Sequence, residues 1–384
     1  MSAIFGILHR DGKPVARDDL GRMDAALEAF GPDGHGIWSD GHVGLGQREM
    51  HFTPEDRFNQ LPLKSADGLR VLVCDARVDN RPELMHLLDI RPTDAKEMPD
   101  SAFIMRAYEK WGQDCAKYLI GDIAFAMWDQ REQHLLLARS PVGGRSMYYY
   151  SSPDLFAFSS MPKGLFAIPY IPRELDLEHL AIYLTMTGPN HDKSFYHDIK
   201  KLLPGQISSV RRYGVQRHTF WQAESFSRRE LHLTHDDEYV DAFNELFERV
   251  VADHLRSLTP VGVMMSGGLD STSVAAVAAS QLKKTGKRLA TFTEVPRSGF
   301  SGPILPGRYA DETPYVQSMA RHYDNLDLNL ISTHDRIFLN SLERFFDASD
   351  LPFRNSTNQI WYEAILQKAR SQGIQVFLNG GMGN

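Results

Sequence analysis

Six consecutive residues, Ser266-Gly267-Gly268-Leu269-Asp270-Ser271, combine the groups that a bound polyphosphate needs. Two glycines let the backbone approach an anion with no Cβ in the way. Ser266 and Ser271 add hydroxyl donors, and Asp270 can hold the Mg²⁺ that a polyphosphate brings with it. The five residues before the motif, Val261-Gly262-Val263-Met264-Met265, form an apolar run of the kind found in a strand buried on both faces. After it, small and apolar residues recur with helical character from Val274 to Leu282. A strand, a glycine turn and a helix in that order aim backbone N–H groups at an anion. No Gly-Lys-Ser/Thr follows the glycines, so this is not the phosphate loop of kinases and GTPases.

The elements around the motif alternate. Residues 236–255 carry Tyr239, Phe243, Leu246, Phe247, Val250 and Val251 at helical period, with Thr234 and Asp237 as a capping pair at the start. Strands are expected at 289–293, 328–331 and 375–378, and helices at 311–323 and 360–370. The Gly/Pro/Ser-rich stretch 297–308 reads as a mobile loop over a site. This alternation predicts a doubly wound parallel sheet, which binds ligands at the carboxyl ends of its strands. Both the 266–271 motif and the final stretch 379–384 fall at such ends.

The amino-terminal half has a different rhythm. Strands are expected at 4–8, 43–46 and 71–74, and hairpins over 124–139 and 148–158. Helices are expected at 17–30 and 101–111. Many short strands with few helices predict sheet packed on sheet with helices outside. The 384 residues suit two or three domains, and a net charge of −7 gives no footprint for nucleic acid. No apolar run is long enough to span a bilayer, and the start of the chain lacks the pattern of a signal peptide. Two cysteines, Cys74 and Cys115, point to a reducing, cytoplasmic setting. The 15 histidines show no zinc-binding spacing.

SGGLDS resembles the signature of the ATP pyrophosphatases, which cleave ATP between its α- and β-phosphates. A second resemblance covers the amino-terminal half. MSAIFGI, GPDGHG, VGLGQREM, VCDARVDN, GDIAFAMWD and ARSPVGGRSMYYY occur in the order of segments of a class II glutamine amidotransferase domain. Together the halves resemble asparagine synthetase over the whole chain. The resemblance implies an αββα N-terminal-nucleophile sandwich over residues 1–205 and a Rossmann-like ATP-pyrophosphatase domain over 206–384. It implies ATP and Mg²⁺ as cofactors. Ser266 to Ser271 and Gly380 would hold ATP or pyrophosphate, and Asp270, with Asn384, would hold the metal.

The departures from the family pattern are as informative. The family's glutaminase uses a cysteine at position 2, and this chain has Ser2, a far weaker nucleophile. Glu49 stands where an arginine would hold the glutamine carboxylate. Asp75-Ala76-Arg77 replaces Asn-Gly-Glu, so an acid sits where the oxyanion donor belongs. Asp100 keeps its type. The expectation is no glutamine hydrolysis, with Ser2 and Asp100 as structural remnants and no catalytic role for Arg139. In the last loop the family's basic glutamate falls on Gly381, and its metal-binding aspartate on Asn384. Family members continue past this point with a helical segment bearing a catalytic lysine, which implies that the chain is a fragment or that its coding region is interrupted.

The same losses occur in the β-lactam synthetases and lasso-peptide cyclases, which use an amine of the substrate itself. The resemblance therefore implies an AMP-forming ligase that adenylates a carboxylate-bearing substrate, favouring macrolactam cyclisation of a precursor peptide. A leader-binding protein and a protease would accompany that peptide, and the ligase would be a homodimer. Glutamine-dependent synthesis of asparagine and a nucleotide-binding scaffold are the alternatives.

Overall fold

The computed structural model describes residues 2–142, 144–188, 192–225, 231–304, 306–307, 309–333, 336–352 and 355–381. It divides into two compact units, Met1–His51 with Glu55–Leu231, and Phe52–Pro54 with His232–Asn384.

The first unit holds two six-stranded sheets. One contains β1 (Ala3–His9), β2 (Gly34–Asp40), β3 (Val43–Glu49), β8 (Tyr148–Ser151), β9 (Leu155–Ser159) and β10 (Ile199–Lys201), in the order β10-β8-β9-β1-β3-β2. The other contains β4 (Leu63–Lys64), β5 (Arg70–Val78), β6 (Gly121–Asp129), β7 (His134–Arg139), β11 (Gln206–Arg211) and β12 (Gly214–Thr219), in the order β12-β11-β7-β6-β5-β4. Alternate side chains of one strand serve different layers. Val71 and Val73 join Ile4, Leu45 and Phe158 between the sheets. Leu72 and Cys74 face outward, against Phe103, Ile104 and Ala107 of a helix, α4 (Asp100–Trp111). On the other side α1 (Arg17–Ala26) lies against β1 and β3. The result is the expected αββα sandwich. Strands buried on both faces explain why AFAMW and HLLLAR read as continuous apolar runs rather than alternating ones.

Three local expectations need correction. The boundary expected at residue 205 falls inside the second sheet, because β11 pairs with β7 through Ile207↔Ala138 to Val210↔Leu135, and β12 pairs with β11. Strand β2 was not expected. Its Gly34 and Gly36 look like turn residues, yet it pairs with β3 from Gly34↔Glu49 to Asp40↔Val43. The first helix ends at Ala26, and Glu28–Phe30 is a separate 3₁₀ turn.

The second unit is a four-stranded, all-parallel sheet. Its strands are β13 (Val261–Met264), β14 (Leu289–Glu294), β15 (Leu326–Ile331) and β16 (Val376–Leu378), in the order β15-β14-β13-β16. Helix α7 (Asp236–His254), α8 (Leu269–Lys283) and α9 (Thr313–His322) cover one face, burying Val251, Ala275, Ala278, Ala279, Leu282 and Val316 against Val261, Val263 and Leu378. Helix α11 (Ser356–Ser371) covers the other with Ile365 and Ala369, against Phe292 and Ile374. Helices on both faces make the sheet doubly wound, as expected. At the start of α7 the cap is Glu238 rather than the Thr234–Asp237 pair. Its Oε2 accepts the backbone N–H groups of Thr234 (2.7 Å) and His235 (3.2 Å).

Candidate functional site

The strand order reverses at β13, which has β14 on one side and β16 on the other. Such a switch point opens a crevice beyond the strand ends. The 266–271 motif leaves β13 here, and residues 379–381 leave β16. A cavity of about 970 Å³ opens beside them. Ser266, Gly268, Asp270, Ser271 and Gly380 all line it.

The loop is held by its own polar groups. The Ser266 N–H donates to Ser271 Oγ (3.0 Å), and the two hydroxyls lie 2.9 Å apart. The Gly268 N–H donates to Ser266 Oγ (3.1 Å), and Thr272 Oγ1 donates back to the Gly268 carbonyl (2.8 Å). Beneath it, Thr293 Oγ1 donates to the Met265 carbonyl at 2.6 Å, tying the strand end to β14. Gly380 is required by close approach: a Cβ there would lie 2.6 Å from the Ser271 nitrogen. That contact presses the loop after β16 onto the first turn of α8.

Two residues of the motif differ from expectation. Leu269 is 84% exposed and does not line the cavity, because it opens α8 with its side chain turned to solvent. Gly267 does not line the cavity either, and its N–H donates to Glu312 Oε2 at 3.1 Å. Asn384 lies outside the described residues.

The rest of the lining was not singled out from sequence. Phe292, Phe300, Trp361 and Ile365 supply apolar surface, and Glu294, Arg297, Glu312 and Arg336 supply charge. The carboxyl of Glu294 is pushed above the usual carboxylate range, first by burial and then by the neighbouring charge of Glu312. The signal available was positional. Glu294 is the last residue of β14 and Arg336 lies shortly beyond β15, at the strand ends where open α/β sheets bind ligands. The stretch expected as a loop over the site does contribute Arg297 and Phe300. Residues 305 and 308 of it lie outside the described residues.

The donor set fits a nucleotide with its metal. The first turn of α8 leaves N–H groups for phosphate oxygens, and the cavity offers an apolar wall for a base. Among the described residues, no group of three His, Cys, Asp or Glu side chains is placed to hold a metal. Asp270 alone would give Mg²⁺ one oxygen, which suits an ion that keeps its waters and takes the rest from phosphate.

In the first unit, the residues at the glutaminase positions are buried and already engaged. Ser2 Oγ accepts the Met50 N–H at 3.0 Å, and the Ser2 N–H donates to Asp75. Asp75 is 2% exposed, Arg145 lies 3.6 Å from one of its oxygens, and the other oxygen is buried with no hydrogen-bond partner. Burial raises its pKa, and the Arg145 guanidinium pulls it partly back. Glu49 pairs with His51 (3.2 Å), and Arg77 with Asp79 (2.8 Å). Asp100 accepts the Val78 N–H at 2.8 Å and a short ion pair from Arg81. Arg139 donates to the carbonyls of Arg145 and Leu202. Both cysteines are free and buried, and the Cys115 thiol is pushed up to about 12 by burial. Among the described residues, no helix is long and apolar enough to cross a membrane.

Comparison with known proteins agrees with this layout. Residues 1–221 match the model of the glutamine amidotransferase domain, and residues 242–384 that of asparagine synthase. The chain is 27% identical over 274 residues to "Asparagine synthetase [glutamine-hydrolyzing] 3" of Bacillus subtilis (strain 168), covering 71% of this chain and 44% of that protein. It is 24% identical over 342 residues to "Putative asparagine synthetase [glutamine-hydrolyzing] 2" of Methanocaldococcus jannaschii, covering 84% and 63%. It is also 24% identical over 387 residues to "Amidase chry2" of Gibberella zeae, covering 97% and 55%. The chain thus spans about half the length of the curated relatives it matches. With an amidotransferase-type sandwich leading into a parallel-sheet unit that carries SGGLDS at its switch point, the chain belongs to the asparagine synthetase family.

Proposed function

We propose that this chain is an ATP-dependent amide ligase. Its second unit binds Mg·ATP and activates a carboxylate, with AMP and pyrophosphate released. The observation that carries this reading is the 266–271 loop, held by Gly380 at the carboxyl ends of β13 and β16 and open to a cavity of about 970 Å³. ATP supplies an electrophilic α-phosphorus. The substrate carboxylate forms a bond to it as the bond to pyrophosphate breaks, and an amine then forms the amide as AMP leaves. The N–H groups at the start of α8, with the hydroxyls of Ser266 and Ser271, orient the leaving diphosphate. Asp270 would hold Mg²⁺, and Arg297 and Arg336 would balance phosphate charge. Fixed donors aimed at a leaving phosphate are the main contribution that such chemistry asks of a protein.

The amine, in this reading, comes from the substrate rather than from glutamine. Glu49 and Asp75 present negative charge where a glutamine carboxylate and an oxyanion would sit. The class of substrate proposed is a precursor peptide, whose Asp or Glu side chain is activated and captured by its own amino terminus. A second reading, glutamine-fed synthesis of asparagine, is favoured by the names of the bacterial and archaeal relatives. ATP–pyrophosphate exchange tests the ligase, and release of glutamate tests the amine source. We expect exchange with peptide carboxylates and no glutamate from glutamine, in the native chain and in Ser2→Ala alike. Nucleotide binding without exchange would leave a scaffold. Asparagine made from aspartate and glutamine would overturn the substrate-amine reading.

A further inference from the structure

Glu312 stands where an anion is expected. Its Oε2 accepts the Gly267 N–H at 3.1 Å, and Gly267 is the first glycine of the phosphate loop. Glu312 is the residue before α9, whose first turn touches the loop again. A Cβ on Gly267 would lie 3.1 Å from the ring of Tyr315. Glu312 is half-buried and lines the cavity together with Asp270 and Glu294. Among the described lining residues these three carboxylates face only two guanidinium groups, Arg297 and Arg336. A polyphosphate therefore enters a cavity whose described lining already has a negative balance. It also meets one loop N–H already taken by a carboxylate.

We propose that Glu312 is a specificity-determining residue of the phosphate loop: its carboxylate fills the anion position at the Gly267 N–H, and an incoming diphosphate must displace it. This rests on the nucleotide reading above. In the free protein the carboxylate keeps the Gly267 amide satisfied. A singly charged anion has little to offer in exchange. A diphosphate bound to a divalent cation brings several oxygens and a cation that offsets the carboxylates, so the position favours the metal complex over the bare anion. Like charges a few ångströms apart in such a partly buried site repel.

The test is calorimetric titration of the full chain with inorganic pyrophosphate and Mg²⁺, comparing the native protein with Glu312→Gln and Glu312→Ala. Gln keeps the shape and removes the charge, and Ala removes the acceptor as well. We expect affinity to rise about tenfold in the Gln variant, and further in the Ala variant. A gain is something that loss of a merely structural contact does not give. Glu312→Asp, too short to keep the 3.1 Å contact, provides a gentler third variant and is also expected to gain. Weaker or unchanged binding in folded variants, with the native protein binding normally, overturns the assignment of Glu312 alone. If neither native protein nor variants bind pyrophosphate, the nucleotide reading falls and this inference falls with it.

Discussion

Asp75 carries a penalty that asparagine would not. It is almost fully buried, one oxygen has no hydrogen-bond partner, and burial raises its pKa. The folded chain therefore keeps this proton to a higher pH than the unfolded chain does. Across the window from the ordinary carboxylate pKa up to the raised value, the folded state binds more protons, so stability falls as pH rises. Asp75→Asn should remove that slope and stabilise the protein at neutral pH by about 1–2 kcal/mol, the scale of an unsatisfied buried polar group. Thermal melts of both proteins across the window check this, and parallel slopes would count against it. The changed charges at Glu49, Asp75 and Arg77 were legible in the sequence against the family pattern. The partner of Asp75 was not, because Arg145 lies far from it in the chain, and neither was the ion pair of Asp100 with Arg81.

At the scale of elements, the 266–271 loop depends on a strand that is distant in sequence. Residues following β16 touch the first turn of α8 through Gly380, where a methyl group would meet the Ser271 nitrogen at 2.6 Å. Gly380→Ala should force the two loops apart at a cost of about 1–3 kcal/mol, and weaken Mg·ATP binding about tenfold or more. Melting and titration of the variant measure both effects, and unchanged affinity would show that the contact does not shape the loop. The alternation of strands and helices was readable because each strand is an apolar run and each helix has a clear period. Strand β2 was hidden by its glycines, and the site residues Glu294, Glu312, Arg336 and Trp361 carry no local motif. Glu294 and Arg336 become visible when the carboxyl ends of the parallel strands are compared, whereas Glu312 precedes α9 and Trp361 lies on α11, so only the packing of those helices brings them to the cavity.

For the whole molecule, the two-part organisation was legible because the halves differ in rhythm, short antiparallel strands against alternating strands and helices. The boundary lies some 26 residues beyond the expected position, Leu231 rather than residue 205, because the hairpin of β11 and β12 returns to the first unit's sheet. Each unit has its own apolar core, so changes in the second should leave the buried polar cluster around Ser2 and Asp75 intact. If the loop around Gly268 and Asp270 grips a nucleotide's diphosphate through Mg²⁺, nucleotide binding must depend on both the metal and this carboxylate. The most direct test is titration of the full chain with Mg²⁺ and α,β-methylene-ATP, in the native protein and in Asp270→Asn. We expect saturable, Mg²⁺-dependent binding to the native protein and affinity lowered at least about tenfold in the variant, roughly 1.4 kcal/mol. Equal affinity in the two proteins, or binding indifferent to Mg²⁺, would contradict it.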